Sequence, residues 1–284
     1  MTMFDLYNYN KHVESTFSSL STTSFETLKD IRIFGSHWIN RNPEGVEVYY
    51  TNNFEKRLFE EGKLIRENTW KYSINRYGFR DAWDLTECDK TKIGFFGDSY
   101  TYGEGLQTHE IFIDRMQSIL DCRAYNVGLG GSSLERITRT FSVFTKFVDI
   151  DIAIITLPSI YRELHVDNKG DIHNISPNWV VPGLSDDIAK LFSELPDTYQ
   201  FRKLSFNVNY ILDIASARNI KVLFASWDNL THRMLRVHSP HNTQKKEFIT
   251  NNDRTARDLT HPGKIPHNNY ALQTINEMTG RAWI

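Results

Sequence analysis

The stretch Ile93–Gly105, IGFFGDSYTYGEG, changes abruptly from apolar residues to polar residues and glycines. Its first residues are typical of a buried strand, and the apolar run stops at Gly97-Asp98-Ser99. A loop that only requires turn residues would explain this change. The alternative is a serine at the carboxyl end of a sheet, where α/β proteins bind their ligands.

From Lys92 onward the chain alternates short apolar runs with helical patterns. The predicted strands are KIGFF (92–96), RAYNV (123–127), DIAIITL (151–157) and KVLFAS (221–226). Helical patterns cover 110–120, 132–148, about 186–218 with a break at Pro196, and 268–278. Strands that are apolar throughout and are separated by helices predict a parallel sheet covered on both faces. The expected fold class is therefore a three-layer α/β/α sandwich.

Several segment ends and loops are also predicted. The capping box Ser132-x-x-Glu135 predicts a helix that begins just after Gly131, and Gly280 is expected to cap the last helix. A helix beginning near Ser24 and breaking at Gly35, and a strand GVEVYY (45–50), are expected before the sandwich. The stretches 165–183 and 228–257 lie outside the alternation, so we interpret them as irregular lids or binding loops.

Composition excludes several classes of protein. The 284 residues are 40% hydrophobic and 24% charged, with a net charge of −2, which gives no basic surplus for nucleic acid or anionic membranes. Two cysteines, Cys88 and Cys122, make no disulfide framework. No signal peptide and no transmembrane segment are apparent. We expect a soluble protein, cytoplasmic or associated with a phage or virus.

Two kinds of cofactor site receive little support. NVGLGGSS (126–133) resembles a dinucleotide-binding turn, but the last glycine of that motif would fall at Ser133, and no GxxxxGK loop occurs. The histidines match no zinc spacing and are interpreted as solvated loop residues: His165, His173, His232, His238 and His241. We expect no cofactor and no metal.

Ser99 has candidate partners near the other end of the chain. A serine hydroxyl becomes a useful nucleophile when a base removes its proton and a third group orients that base. RDLTHPG supplies both, as Asp258 and His261, close enough for one loop to aim both side chains at one point. The transition state also needs donors for its oxyanion, and the backbone N–H groups of Gly131 and Ser99 are candidates.

FFGDSYTYGEG, NVGLGGSS and DLTHPG, in this order, resemble the blocks of the SGNH (GDSL) hydrolases over roughly 75–280. INRYGFR (74–80) is similar to a segment that precedes the first block in many members. The resemblance implies a flavodoxin-like sandwich with Ser99 as nucleophile, His261 as base and Asp258 as its orienter. We therefore expect a catalytic domain over 75–284 and an extension over 1–74, packed on or beside it.

One block departs from the family pattern. The family carries an asparagine after the third strand, where it donates to the oxyanion, and here the segment reads TLPSIYRE (156–163). Ser159, Tyr161 and Arg162 are the candidate replacements.

Three functions stay open at this point. The first is a serine esterase that hydrolyses a small acyl ester, an O-acetyl group on a carbohydrate being favoured, through an acyl-enzyme. The second is a catalytically impaired protein with a structural or glycan-binding role. The third is an acyltransferase that uses the same residues.

Other residues near these blocks are given structural roles. Asp98 is expected to cap the turn that follows it, and Trp179 and Trp227 are expected to anchor the core. Asn126 is either a strand-end cap or a site residue. We expect Asn75, Gly78, Phe79 and Arg80 to tie the N-terminal region onto the sandwich.

Overall fold

The computed structural model describes residues 45–50, 69–75, 79–80, 88–166, 172–175, 195–245, 256 and 261–284. The predicted helix near Ser24, and the residues Gly78, Trp179 and Asp258, lie outside the described residues. The same holds for 186–194, the first part of the long helical pattern.

The described strands form one parallel sheet and two antiparallel pairs. In chain order the strands are β1 (Gly45–Tyr50), β2 (Thr69–Ile74), β3 (Lys92–Phe96), β4 (Arg123–Asn126), β5 (Ile152–Leu157), β6 (Glu163–Val166), β7 (Ile172–Ile175) and β8 (Lys221–Ser226). The parallel sheet has the order β4-β3-β5-β8, while β1 pairs with β2 and β6 with β7. The four apolar runs of the sequence are thus its four parallel strands.

Helices cover both faces of the parallel sheet. In chain order they are α1 (Ser99–Tyr102), α2 (Phe112–Leu120), α3 (Leu134–Phe147), α4 (Asp197–Ala217), α5 (Asn229–His238) and α6 (Lys264–Gly280). Helices α3 and α4 pack against the face that carries Phe96, Ile155 and Phe224. Helices α2 and α6 pack against the other face, through neighbouring residues such as Phe95 and Ile154. Because successive strand residues point to opposite faces, both layers are buried, and the predicted α/β/α sandwich is confirmed.

Some predicted ends and loops were wrong. Helix α3 is capped by Ser133, whose hydroxyl oxygen accepts from the N–H of Arg136, because the Ser132 hydroxyl instead donates to the carbonyl of Leu129. Gly280 is the last residue of α6 rather than its cap.

The two stretches predicted to be irregular contain regular structure. The first overlaps the antiparallel hairpin β6–β7, in which His165 lies opposite His173 in the strand register. The second contains α5, where His232 is buried and is therefore not a solvated loop histidine.

The strand order reverses direction between β3 and β5. Numbered among themselves, the parallel strands run 2-1-3-4, as in the flavodoxin-like arrangement, in which ligands bind beyond the carboxyl ends of strands 1 and 3. These strands are β3 and β5, which precede Ser99 and Arg162 respectively. None of the described helices is both long and apolar enough to cross a bilayer.

Candidate active site

Ser99 lies at the carboxyl end of β3, in the first position of the short helix α1. Asp98 caps this helix, since its Oδ1 accepts from the N–H of Tyr100 at 3.1 Å. The predicted capping role of Asp98 is confirmed. Ser99 itself is 4% exposed. A core strand therefore ends on a serine that is held in a fixed turn at the carboxyl end of the sheet.

The chain after α1 folds back onto Ser99. The carbonyl oxygen of Ser99 accepts from the N–H groups of Gly103 at 2.8 Å and Glu104 at 3.0 Å. Gly103 and Gly105 have φ angles of 81° and 76°, a region that glycine enters without steric cost. The two glycines thus make the tight turn that keeps Glu104 next to Ser99. We call residues 99–106 the Ser99 loop.

In the INRYGFR segment, Asn75 and Phe79, the latter next to Arg80, are joined by two hydrogen bonds. The backbone N–H of Asn75 donates to the carbonyl of Phe79 at 2.9 Å, and Asn75 Oδ1 accepts from the N–H of Phe79 at 3.1 Å. Phe79 packs in the core cluster beside α3 and α4. The side chain of Arg80 is then completely buried.

Arg80 holds the Ser99 loop through hydrogen bonds to its backbone carbonyls. Its Nη1 donates to the carbonyls of Tyr102 at 2.8 Å and Gly103 at 2.5 Å, and its Nη2 donates to that of Leu106 at 2.7 Å. The guanidinium also lies 4.4 Å from the ring centre of Tyr72, within cation–π range. The described part of this segment ties the preceding chain to the Ser99 loop, as predicted.

A second tight turn, after β4, lies against the Ser99 loop. Asn126 Oδ1 accepts from the N–H of Gly128 at 3.1 Å, so Asn126 is a strand-end cap. A Cβ at Gly128 would lie 2.5 Å from the backbone nitrogen of Tyr102, which shows how closely the two turns approach. Gly131 follows with a φ of 69°, just before the capped start of α3.

The backbone N–H groups of Ser99 and Gly131 are available as donors. Among the residues that the structure describes, neither N–H group donates a hydrogen bond to a carbonyl or a side chain. Unpaired N–H groups of this kind are what an oxyanion hole requires.

His261 reaches the same edge from the segment before α6. Its ring lies edge-on to that of Tyr100, with the two centres 5.5 Å apart. Its Nε2 is 3.3 Å from Oε2 of Glu104, and the His261 side chain is 17% exposed. The Ser99 hydroxyl makes no hydrogen bond with His261 or with another described side chain. The structure thus brings the Ser99 loop and His261 together, through Tyr100 and Glu104.

Glu104 is the residue at this edge that the sequence did not reveal. One carboxylate oxygen faces His261, and a Cβ placed on Gly130 would clash with the other oxygen, Oε1. The carboxylate therefore lies between His261 and the turn that carries Gly131. Its only signal in the sequence is a charged residue flanked by two glycines, in GEG.

The segment after β5 places Arg162 beside Asp98, the residue before Ser99. Arg162 Nη1 donates to Oδ2 of Asp98 at 2.7 Å and lies 3.5 Å from the carbonyl of Ser132. Its side chain is 25% exposed. Of the three candidate replacements for the asparagine, Arg162 is thus the one bonded to residues adjacent to Ser99 and Gly131.

The other two candidates have different surroundings. The hydroxyl of Tyr161 donates to Asp197 Oδ1 at 2.9 Å, and this bond is the first cause of the raised pKa of Tyr161. Ser159 is half-buried, and its carbonyl accepts from the N–H of Arg162 at 3.1 Å.

A buried lysine fixes the same segment. Lys203 Nζ donates to the carbonyls of Ile160 at 2.6 Å and Arg162 at 3.1 Å, and to Glu163 Oε1 at 2.5 Å. Burial raises the pKa of Glu163, and the Lys203 charge opposes this shift. The backbone that carries Arg162 is therefore held by a charge pair from α4.

A group of aromatic residues in mutual contact lies next to His261. Trp227 contacts the ring of Tyr100 at 5.2 Å and stacks on Tyr270 at 4.8 Å, consistent with the expected core anchor. His267 is fully buried, and its Nδ1 accepts from the N–H of Phe112 at 3.3 Å. Burial, followed by the charges of Arg80 and His261, lowers the pKa of His267 to about 3. His267 is therefore neutral at physiological pH.

Comparisons with known proteins find similarity in structure alone. No protein-family model and no curated protein matches the chain. An esterase from Pseudoalteromonas, crystallised with monoethylphosphonate as inhibitor, is 13% identical, with 68% of this chain and 100% of that one covered and a TM-score of 0.46. An acetyl xylan esterase from Butyrivibrio proteoclasticus is 11% identical, with 73% and 68% covered and a TM-score of 0.42. A member of the lipolytic G-D-S-L family from Veillonella parvula is 13% identical, with 66% and 98% covered and a TM-score of 0.40.

Proposed function

We propose that this protein is a serine ester hydrolase in which Ser99 is the nucleophile and His261 the base. The observation that carries the proposal is the meeting of three chain segments at the carboxyl edge of the sheet. These are the Ser99 loop, the turn with Gly131, and the segment with His261, which contacts both Tyr100 and Glu104. A serine, a histidine and unpaired backbone N–H groups are the parts that acyl transfer requires.

The reaction proceeds in two half-reactions. Ser99 Oγ forms a bond to the ester carbonyl carbon while His261 accepts its proton, and the same proton passes to the departing alcohol. Water then attacks the acyl-enzyme, gives a proton to His261, and releases the acid as Ser99 recovers its hydrogen. Asp258, outside the described residues, keeps the orienting role predicted from the sequence.

Stabilisation of the oxyanion is assigned to three donors. The N–H groups of Ser99 and Gly131 supply two, and Arg162 replaces the side-chain donor of the missing asparagine. What supports Arg162 is its position, since its guanidinium bonds to Asp98, next to Ser99, and approaches Ser132, next to Gly131. A cationic donor stabilises a developing negative charge more strongly than a neutral amide does.

The proposed substrate is an O-acetyl ester of a carbohydrate. Tyr100 and Trp227 are half-buried aromatic residues in contact beside His261. Aromatic faces next to polar groups suit the mixed apolar and hydroxylated surface of a sugar. A transferase would use the same residues and replace water by a second alcohol, and product analysis with added sugar acceptors separates the two reactions.

Release of p-nitrophenol from p-nitrophenyl acetate tests the proposal. Ser99→Ala should lower kcat at least about 10³-fold, since it removes the nucleophile. The matched control is Ser118→Ala, an exposed serine on α2 whose hydroxyl donates to the carbonyl of Asp114. Equal rates for wild type and Ser99→Ala, together with no labelling of Ser99 by a fluorophosphonate, would contradict the proposal and favour a binding protein.

A further inference from the structure

We infer that Glu104 is a specificity-determining residue, one that recognises a hydrogen-bond donor or a positive charge on the alcohol part of the ester. This inference rests on the proposed function, because it concerns the substrate of the same site. It arises from the location of the carboxylate, between His261 on one side and the Gly130–Gly131 turn on the other.

The backbone of Glu104 is held rigidly. Its own N–H donates to the carbonyl of Ser99 at 3.0 Å, and glycines with positive φ precede and follow it. The loop is further fixed on both sides of Glu104, since Arg80 binds the Gly103 carbonyl and the N–H of Gly105 donates to the Tyr72 hydroxyl at 2.7 Å. The Cα of Glu104 is therefore held at a fixed position relative to Ser99.

The carboxylate occupies space that Gly130 leaves open. A Cβ at position 130 would clash with Oε1 of Glu104, so any larger residue there would displace the carboxylate. Oε2 meets His261 Nε2 at 3.3 Å, and the Glu104 side chain is 33% exposed. The carboxylate thus lies against both His261 and Gly130, and it can still be reached from solvent.

This location has a consequence for the alcohol part of the substrate. An ester whose carbonyl oxygen points to the N–H groups of Ser99 and Gly131, and whose alcohol leaves toward His261, must pass close to Glu104. A hydroxyl, amino or ammonium group on that alcohol gains a charge-assisted contact, whereas a carboxylate, sulfate or phosphate is repelled.

The contact with His261 connects recognition to chemistry. An Nε2 that donates its hydrogen to Glu104 cannot at the same moment accept the hydrogen of Ser99. A donor or a positive charge on the substrate competes for the same carboxylate and releases Nε2 for that task. Alcohols that carry a donor or a positive charge should therefore be favoured in kcat/KM over isosteres that carry neither.

A pair of matched thioesters tests the inference. Acetylthiocholine carries a positive charge, and 3,3-dimethylbutyl thioacetate has the same shape without it. The wild type should favour the cation in kcat/KM by about tenfold, a modest estimate for one charge contact in a partly exposed site. Glu104→Gln should bring this ratio close to one. Gly130→Ala, which displaces the carboxylate and keeps its charge, should lower the ratio as well.

The control variant is Glu277→Gln, which removes one negative charge from α6, where Glu277 pairs with Arg281. Its ratio should equal that of wild type. A general disturbance of His261 or of the oxyanion hole should lower kcat/KM for both thioesters equally. A change in the ratio of the two kcat/KM values therefore reports a change in selectivity for the charged group. Three results would overturn the inference and leave the proposed function standing. They are equal kcat/KM values of the wild type for the two thioesters, an unchanged ratio in Glu104→Gln, and cleavage of p-nitrophenyl acetate without cleavage of acetylthiocholine. Turnover that Ser99→Ala leaves unaffected would overturn the proposed function and the inference together.

Discussion

The amino and carboxyl ends of the parallel sheet are held together by different kinds of contact. At the amino end the strand termini are joined by ordinary backbone bonds and by Asp151, an exposed residue whose Oδ2 accepts from the N–H of Lys92 at 2.7 Å. At the carboxyl end the chain buries charged groups, with Arg80 completely inaccessible and Asp98 3% exposed.

The carboxyl end therefore carries the larger desolvation cost. Buried charges are tolerated where every charge has a partner, and here Arg80 has three carbonyls while Asp98 has Arg162. Buried charged groups, glycine turns and a serine at the end of a core strand are typical of a functional site, whereas the amino end needs only to hold the strands together.

Removing the cation beneath the Ser99 loop should produce the largest difference between the two ends. Arg80→Ala removes the guanidinium donor from three buried carbonyls and should lower the free energy of unfolding by about 4 kcal/mol. The control at the amino end is Lys221→Ala, an exposed cation in β8, which should change it by less than about 0.5 kcal/mol. Urea unfolding measures both, and similar losses would show that the ends do not differ as described.

Arg162 should separate chemistry from stability at the carboxyl end. Arg162→Lys keeps a charge beside Asp98 but loses the planar guanidinium, and kcat should fall about 10²-fold, as when one oxyanion donor is lost. Its neighbour Tyr161 provides the control, because its hydroxyl is bonded to Asp197. Steady-state kinetics on p-nitrophenyl acetate should therefore find Tyr161→Phe close to wild type. A comparable loss of kcat in both variants would contradict the proposed role of Arg162 as an oxyanion donor.

His267 should make stability depend on pH in a predictable direction. Burial lowers its pKa from 6.5 to about 3, so between these values the unfolded chain binds a proton that the folded protein excludes. Stability is then fully present above pH 6.5 and falls as the pH decreases, by at most about 1.4 kcal/mol per pH unit. Urea unfolding at pH 7.0, 6.0 and 5.0 should show a steeper fall for wild type than for His267→Gln. The exposed His109, replaced by Gln, should leave the slope unchanged.

The parallel strands could be predicted because their signal is local. Each is a short apolar run bounded by polar or glycine residues, and KIGFF and KVLFAS match β3 and β8 in full. The position of Ser99 followed from the same pattern, since a serine directly after a buried parallel strand must lie at the carboxyl end of the sheet. The cap of α3 was predicted one residue too early because Ser132 and Ser133 are adjacent and local sequence does not show which hydroxyl caps the helix.

The contacts that define the site could not be predicted, because they join distant segments. Arg162 and Asp98 are separated by 64 residues, and nothing in either neighbourhood indicates the pairing. The same holds for Glu104 and His261, and for the fixing of Ile160 by Lys203. Such pairings depend on how helices pack on the sheet, which hydrophobic periodicity leaves undetermined.

The position of Arg80 in the chain has a consequence for synthesis on the ribosome. Its acceptor carbonyls follow it by only 22 to 26 residues, so the cation and the loop that it holds emerge close together, and nearby contacts form early. His261, the proposed base, in contrast lies 162 residues after Ser99 in the sequence. A nascent chain that has not yet reached His261 therefore lacks the proposed base, and we expect Ser99 in it to be unreactive toward esters.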